Sequence, residues 1–248
     1  MRETIRSPDN PLVKELRHLH RADERARQNA FLVEGRRAID GFLEAGWRAT
    51  VLLHPENEPP PPGWPADVAR AASARVAARI SQATTASGWI AVFALPAEVA
   101  PDPAAGGLIL AEIADPGNAG TLIRSAAAFG CPQVHCLGGC DPWSHKVVQA
   151  SAGALARVRL SRSDPALGLA GLRSGAPLTA LVVNGGLAPQ QLAPGPRWLL
   201  VGSEAHGLRP EWQAACTQLV TLPMPGGVES LNAAVAGSIA GYLIWAVR

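Results

Sequence analysis

Apolar positions recur along this chain with two different periods, and the change of period divides it. Leu12, Leu16 and Leu19 fall at helical spacing behind Pro11, which stands where a helix begins. Phe31, Leu32 and Val33 form a short apolar run that predicts a strand. Ala38, Ile39, Phe42 and Leu43 then predict a helix, ended by Gly46. Residues 50–53 and 89–95 predict further strands. The prolines at 59–62 exclude helix interior and central strand there, and residues 70–80 fit neither period cleanly.

The second half alternates strand and helix. Strands are predicted at 108–113, 134–137, 178–183, 198–201 and 219–222, with helices at 117–129, 144–150 and 231–247. Such alternation predicts a parallel sheet with helices on both faces. Ligands of such sheets bind beyond the carboxyl ends of the strands, so the loops at 115–120, 202–207 and 223–232 all fall on the ligand side. The expected organisation is a first module over 1–95, a Pro-rich linker over 96–106 and a second module over 107–248.

Composition narrows the possibilities modestly. With 48% hydrophobic residues the chain is a folded protein and not a disordered one. A net charge of +2 does not by itself announce nucleic acid, so any such contact must be local. One local candidate runs from Arg2 to Arg27, with seven Lys or Arg and two His against five Asp or Glu. From charge alone a solvated helical face is the plainer explanation of that run. Cys131, Cys136, Cys140 and Cys216 lack metal-binding spacing, so no metal is assigned and ordinary thiols in a reducing compartment are expected. No basic segment leads into an apolar one near the start, and residues 231–247 read as a buried helix after a Gly-rich loop, not as a membrane span.

The three loops carry the candidate chemistry. In the first, Gly117 and Gly120 permit close backbone approach, Asn118 can cap the helix, and Arg124 lies two turns further on. A surface carboxylate pairing with Arg124 is the plain alternative. The pattern is not the dinucleotide glycine fingerprint, and no Walker loop exists anywhere in the chain. The second loop contains Gly202, Ser203, Glu204 and Gly207, and it is not a nucleophile elbow. Glu204 can accept hydrogen bonds from a ligand or simply cap a helix. In the third, Ser230 or Asn232 can cap the last helix, where Ala233, Gly237 and Gly241 form a small-residue stripe suited to a tight helix contact within or between subunits.

Taken together and in order, these stretches resemble the SpoU (TrmH-like) family of the SPOUT methyltransferases. Asn118, Gly120 and Arg124 with Ala-Ala-Phe-Gly are similar to its first motif; Gly202, Glu204 and Gly207 to its second; and Ser230, Leu231 and Asn232 to its third. The stretch 144–154 fits as well, with His145 where a proline is common. Asn10-Pro-Leu-Val-Lys and Phe31-Leu-Val-Glu-Gly resemble the family's substrate-binding domain.

The resemblance implies an α/β fold: a C-terminal SPOUT parallel-sheet domain with a deep trefoil knot, preceded by a small ribosomal-protein-like α/β domain that binds substrate. It implies transfer of a methyl group from S-adenosylmethionine to a ribose 2′-hydroxyl, most plausibly in ribosomal RNA. A tRNA methyltransferase and a noncatalytic RNA-binding homologue are the alternatives. It further implies a cytoplasmic homodimer whose partner is RNA, not DNA or a membrane. Gly202, Glu204, Gly207, Leu222, Met224 and Leu231 would hold the cofactor. Arg124, Asn118, Ser230 and Asn232 would form the catalytic group. A guanidinium keeps its proton at ordinary pH, so Arg124 is expected to hold the target nucleotide and offset developing negative charge instead of acting as a base. Lys14, Arg17, Arg21 and Arg25 are the expected phosphate contacts.

Overall fold

A computed structural model describes residues 4–247, so Arg2, the first residue of the basic run, lies outside the described residues. The chain forms two compact units. One extends to Pro96 and also includes Trp143–Ala156; the other comprises Ala97–Pro142 and the chain from Arg157 onward.

The first unit contains α1 (Pro11–His18), α2 (Ala22–Gln28), β1 (Ala30–Glu34), α3 (Arg36–Glu44), β2 (Ala49–Pro55), β3 (Ala69–Ala72), α4 (Ala74–Ile80) and β4 (Ile90–Ala94). Asn10 caps α1 by accepting from the Leu12 amide at 2.9 Å, and Pro11 opens the helix as its sequence predicts. The strands lie in the order β1-β4-β2-β3, antiparallel except for the β2–β3 pair. Alternation along the strands separates two apolar layers. Leu32, Leu53, Ile90 and Val92 pack with Val13 and Leu16 of α1 and Val76 and Ile80 of α4. Phe31 and Phe93 instead meet Phe42 of α3, Trp47 and Trp143 in ring contacts with centroids 4.8–6.4 Å apart.

Trp143 belongs to a segment that the sequence places in the second module but that packs with the first. Helix α6 (His145–Ser151) lies against β1, and the Trp47 indole donates to the Ala156 carbonyl at 3.1 Å. The alternation pattern assumes that successive elements stay in one sheet, and this excursion breaks that assumption. The stretch 70–80 resolves into β3 and α4, separated by Ser73, whose hydroxyl caps the helix.

The second unit holds β5 (Gly107–Ala111), α5 (Pro116–Ala128), β6 (Gln133–Leu137), β7 (Arg159–Ser163), β8 (Leu178–Leu181), β9 (Trp198–Gly202), α7 (Pro210–Ala215), β10 (Gln218–Val220) and α8 (Ala233–Gly241). Its six strands run in the order β10-β8-β9-β5-β6-β7, every pairing parallel. Burial on both faces explains why the central strands read as continuous apolar runs. Helices α5 and α8 pack together. On the other side of the sheet residues, Leu169, Leu172 and Trp212 cluster with Ile109, Leu137, Trp198 and Leu200.

Several expectations change. Residues 102–106, expected in the linker, are pinned to the sheet unit: the Gln133 amide donates to the Asp102 and Gly106 carbonyls at 2.7 and 2.8 Å. The Trp198 indole also donates to the Pro103 carbonyl at 3.1 Å. The last helix begins at Ala233 and passes into a π-helical turn at Tyr242–Ala246. It is buried on one face only, since Val235, Ile239 and Tyr242 are each more than 40% exposed. Among the described residues no helix is long and apolar enough to cross a membrane. The small-residue stripe serves contacts within the subunit, because a side chain at Gly237 would meet Leu122 at 2.5 Å and Val201 at 2.9 Å.

Candidate active site

Because every strand of the six-stranded sheet is parallel, the loops after β5, β9 and β10 emerge at one end, as the alternation pattern predicts. Three side chains knit them together. Asn118 Nδ2 donates to Glu204 Oε1 at 2.5 Å, and Asn232 Nδ2 donates to Asn118 Oδ1 at 3.0 Å. Capping by Asn118 is corrected by the structure: Asp115 caps α5, accepting from the Asn118 amide at 2.8 Å. That leaves the Asn118 side chain to bridge Glu204 and Asn232. Glu204 is thereby an acceptor for a neighbouring loop and not a helix cap. Asn232 does cap α8, its Oδ1 accepting from the Ala234 and Val235 amides at 2.9 and 3.2 Å.

Beside this cluster lies a cavity of about 430 Å³. All six expected cofactor residues, Gly202, Glu204, Gly207, Leu222, Met224 and Leu231, line it, together with Ser230 and Asn232. Gly202 is required by space: a Cβ there would sit 2.3 Å from the Gly207 carbonyl carbon. Sequence reasoning missed one wall, formed by Leu181, Val182 and Val183 at the end of β8. The rule that sends ligands to strand ends covers this strand too, and it was the available signal.

Arg124 does not line the cavity. It is exposed on α5, and no carboxylate among the described residues pairs with it. The surface ion pair offered as its alternative role is therefore absent among the described residues.

In the first unit, Lys14 and Arg17 are exposed on α1, and Arg21 is exposed but held by Asp23 at 2.5 Å. Arg25 is corrected. It is only 4% exposed and donates to the Leu19 and His20 carbonyls, each at 2.9 Å, so it ties down the chain after α1 and does not face a phosphate.

Parallel strands whose end loops border a part-apolar, part-polar cavity define an α/β protein with a ligand site beyond its sheet. Residues 107–242 match the SpoU rRNA methylase family, and residues 10–91 match an MRM3-like substrate binding domain. An uncharacterised tRNA/rRNA methyltransferase of Synechocystis is 31% identical, the match covering 96% of this chain and 92% of that protein. The 23S rRNA (guanosine(2553)-2′-O)-methyltransferase RlmP of Bacillus subtilis is 26% identical over 96% of this chain and 97% of its own. A crystal structure of an RNA 2′-O ribose methyltransferase superposes with a TM-score of 0.84 at 30% identity, covering 98% of both chains. The AdoMet complex of the SpoU methyltransferase AviRb from Streptomyces viridochromogenes gives a TM-score of 0.80 at 25% identity, covering 95% of this chain and 97% of that one. The chain belongs to the SpoU rRNA methylase family, and it is an RNA methyltransferase.

Proposed function

We propose that ribosomal RNA is the substrate, that the cavity beyond β8, β9 and β10 holds the cofactor, and that Arg124 with Asn118, Ser230 and Asn232 handles the target nucleotide. The protein is an S-adenosylmethionine-dependent RNA ribose 2′-O-methyltransferase. The observation that carries the site reading is the cavity lined by the loops after β9 and β10, to which the loop after β5 is tied through the Glu204–Asn118–Asn232 chain.

The cavity suits the cofactor. Its volume of about 430 Å³ lies in the usual ligand range. Leu181, Val183, Leu222, Met224 and Leu231 offer apolar wall, and Ser203, Glu204 and Ser230 offer polar groups. Held by these residues, the cofactor would supply an electrophilic sulfonium methyl for transfer to a ribose 2′-oxygen. The protein's task is to align that oxygen in line and to accommodate loss of its proton. Arg124, unpaired among the described residues, is available to hold a phosphate or the hydroxyl oxygen and to offset the negative charge that grows there. Asn118 and Asn232 hold the first and third loops at a fixed separation. Proton loss to water completes the reaction without requiring a guanidinium base.

Ribosomal RNA is favoured by the match to RlmP, which runs over nearly the full length of both chains. The exposed Lys14, Arg17 and Arg21 of the substrate-binding unit are the proposed phosphate contacts. A homodimer belongs to the same reading: Val235, Ile239 and Tyr242 give α8 an exposed apolar face that a second copy would cover. So does a trefoil knot, because after the edge strand β10 the chain returns past β8 and β9 to set α8 against α5. Four free thiols suit action in the reducing cytoplasm.

The test incubates the protein with S-adenosylmethionine carrying a labelled methyl group, supplying unmodified ribosomal RNA and tRNA separately, and digests the products to nucleosides. Label in a 2′-O-methylnucleoside from ribosomal RNA is the expected result. Label from tRNA alone would transfer the substrate assignment, and label in a base would overturn the ribose assignment.

A further inference from the structure

The loops after β5 and β9 are joined twice. The inner joint is the Asn118–Glu204 hydrogen bond. The outer joint lies at the roots of the same two loops, where Arg209 grips Glu112 in a forked pair: Nε donates to Oε2 at 2.8 Å and Nη2 donates to Oε1. We infer that Glu112 and Arg209 are positioning residues for the methyl-transfer site, setting the separation of the two loops so that Asn118 and Glu204 meet. This inference rests on the assignment of Asn118 and Glu204 to that site.

Three features distinguish the pair from an ordinary surface ion pair. First, Glu112 has a left-handed backbone, with φ of +56°. A side chain other than glycine adopts this conformation at a cost and persists there where its surroundings hold it. The Glu112 amide still donates to the Leu137 carbonyl at 2.9 Å, so the twist falls at the point where the chain leaves the β5–β6 ladder for the Asp115 turn. Second, the Arg209 guanidinium lies over the Trp212 ring, 4.7 Å from its centroid, and Trp212 is buried. A planar fork stacked on a fixed ring presents its donors in one direction. Third, Arg209 stands two residues after the loop closed by the reciprocal Ser203–Gly207 backbone bonds at 2.9 and 3.1 Å. Motion of Arg209 is therefore transmitted to Glu204 through a short, closed segment. Neither Glu112 nor Arg209 lines the cavity or is among the proposed nucleotide contacts, so the effect of the pair on chemistry runs through Asn118 and Glu204.

The experiment compares Glu112→Gln, Arg209→Lys and the exchanged pair Glu112→Arg/Arg209→Glu with the unaltered protein. Thermal melting, calorimetric affinity for S-adenosylmethionine, steady-state kcat and KM, and amide hydrogen exchange over residues 113–118 and 203–208 are measured. Each single variant is expected to melt as the unaltered protein does, yet to lose about tenfold in kcat/KM. Exchange in both loops should quicken together, and the exchanged pair should restore slow exchange and part of the activity. Single variants with unaltered kinetics and unaltered loop exchange would reduce the pair to a surface bridge. Should the unaltered protein methylate no RNA, the site assignment fails, whereas the exchange comparison still decides whether Glu112 and Arg209 fix the two loops.

Discussion

Arg124 is unusual among the site residues in having no carboxylate partner among the described residues and no place in the cavity wall. On the proposed mechanism, a free guanidinium at that point serves the reacting nucleotide and not the resting structure. Arg124→Ala should lower kcat by about 10²-fold, the scale of losing one preorganised donor to developing negative charge. Affinity for S-adenosylmethionine should stay unchanged by calorimetry. Arg124→Lys keeps the charge but loses the fork, and it should recover only part of the loss. Full activity in the lysine variant would rule out bidentate positioning. Residue-scale reading of the sequence succeeds in placement where a residue stands in a strand-end loop: Gly202 and Glu204 line the cavity, and Asn232 lines it and caps α8. It fails where two polar neighbours compete for one local task. Asp115 and Asn118 both suit a helix start, and the choice depends on which side chain has a better partner elsewhere.

At the scale of elements, α6 is anchored on β1 by a buried polar cluster. Glu34 is 3% exposed; it accepts from the Ser81 hydroxyl at 2.6 Å and lies 3.0 Å from His145 Nε2. His20 sits edge-on to the His145 ring, 5.3 Å between centroids, and bonds the Ile80 carbonyl through Nε2 at 2.7 Å. Burial pushes His20 below its ordinary value of 6.5, against the opposing hydrogen bond to the Ile80 carbonyl and the nearby Glu34, with His145 and Arg25 adding to the lowering. Burial also acts to raise Glu34, but the adjacent His145 ring and the Ser81 hydroxyl hold it below its ordinary 4.5. Both groups bind protons more readily in the unfolded chain, so stability falls with falling pH. The contribution of His20 is complete above about pH 6.5 and declines below it; that of Glu34 persists to about pH 4.5 and is lost below. Urea midpoints should therefore drop between pH 7.5 and 5, and a midpoint that held or rose over that interval would contradict this account of α6. Elements buried on both faces, such as β5 and β9, announce themselves as apolar runs. Helices α2 and α7 are too short to show a period, and β7 reads Arg-Leu-Ser-Arg-Ser because it forms the sheet edge and needs only partial apolar content.

For the whole molecule, the proposed reading gives recognition of RNA to a small number of exposed cations on a chain whose net charge is only +2. Lys14→Glu with Arg17→Glu should weaken RNA binding and lower the slope of log affinity against log salt by roughly 1–2, since each lost phosphate contact releases fewer counterions. Catalytic-site affinity for S-adenosylmethionine should not change. Arg25→Glu should behave differently, lowering the melting temperature because it removes a buried clamp on the Leu19 and His20 carbonyls. Equal RNA affinity in the Lys14/Arg17 variant, measured at two salt concentrations, would remove α1 from the RNA surface.

The excursion of Trp143–Ala156 also bears on how such enzymes exchange their parts. The first unit is not a contiguous cassette, because the chain leaves the sheet unit after Pro142 and returns at Arg157. A fragment ending at Pro96 would lack Trp143 and His145, leaving Phe31 and Glu34 without contacts that each has in the intact chain. Recombination that traded substrate-recognition heads between family members at that single crossover would separate those contacts. Heads of this type should therefore be inherited together with the stretch between β6 and β7, and a graft that carries only the N-terminal residues should fold poorly unless that stretch travels with it.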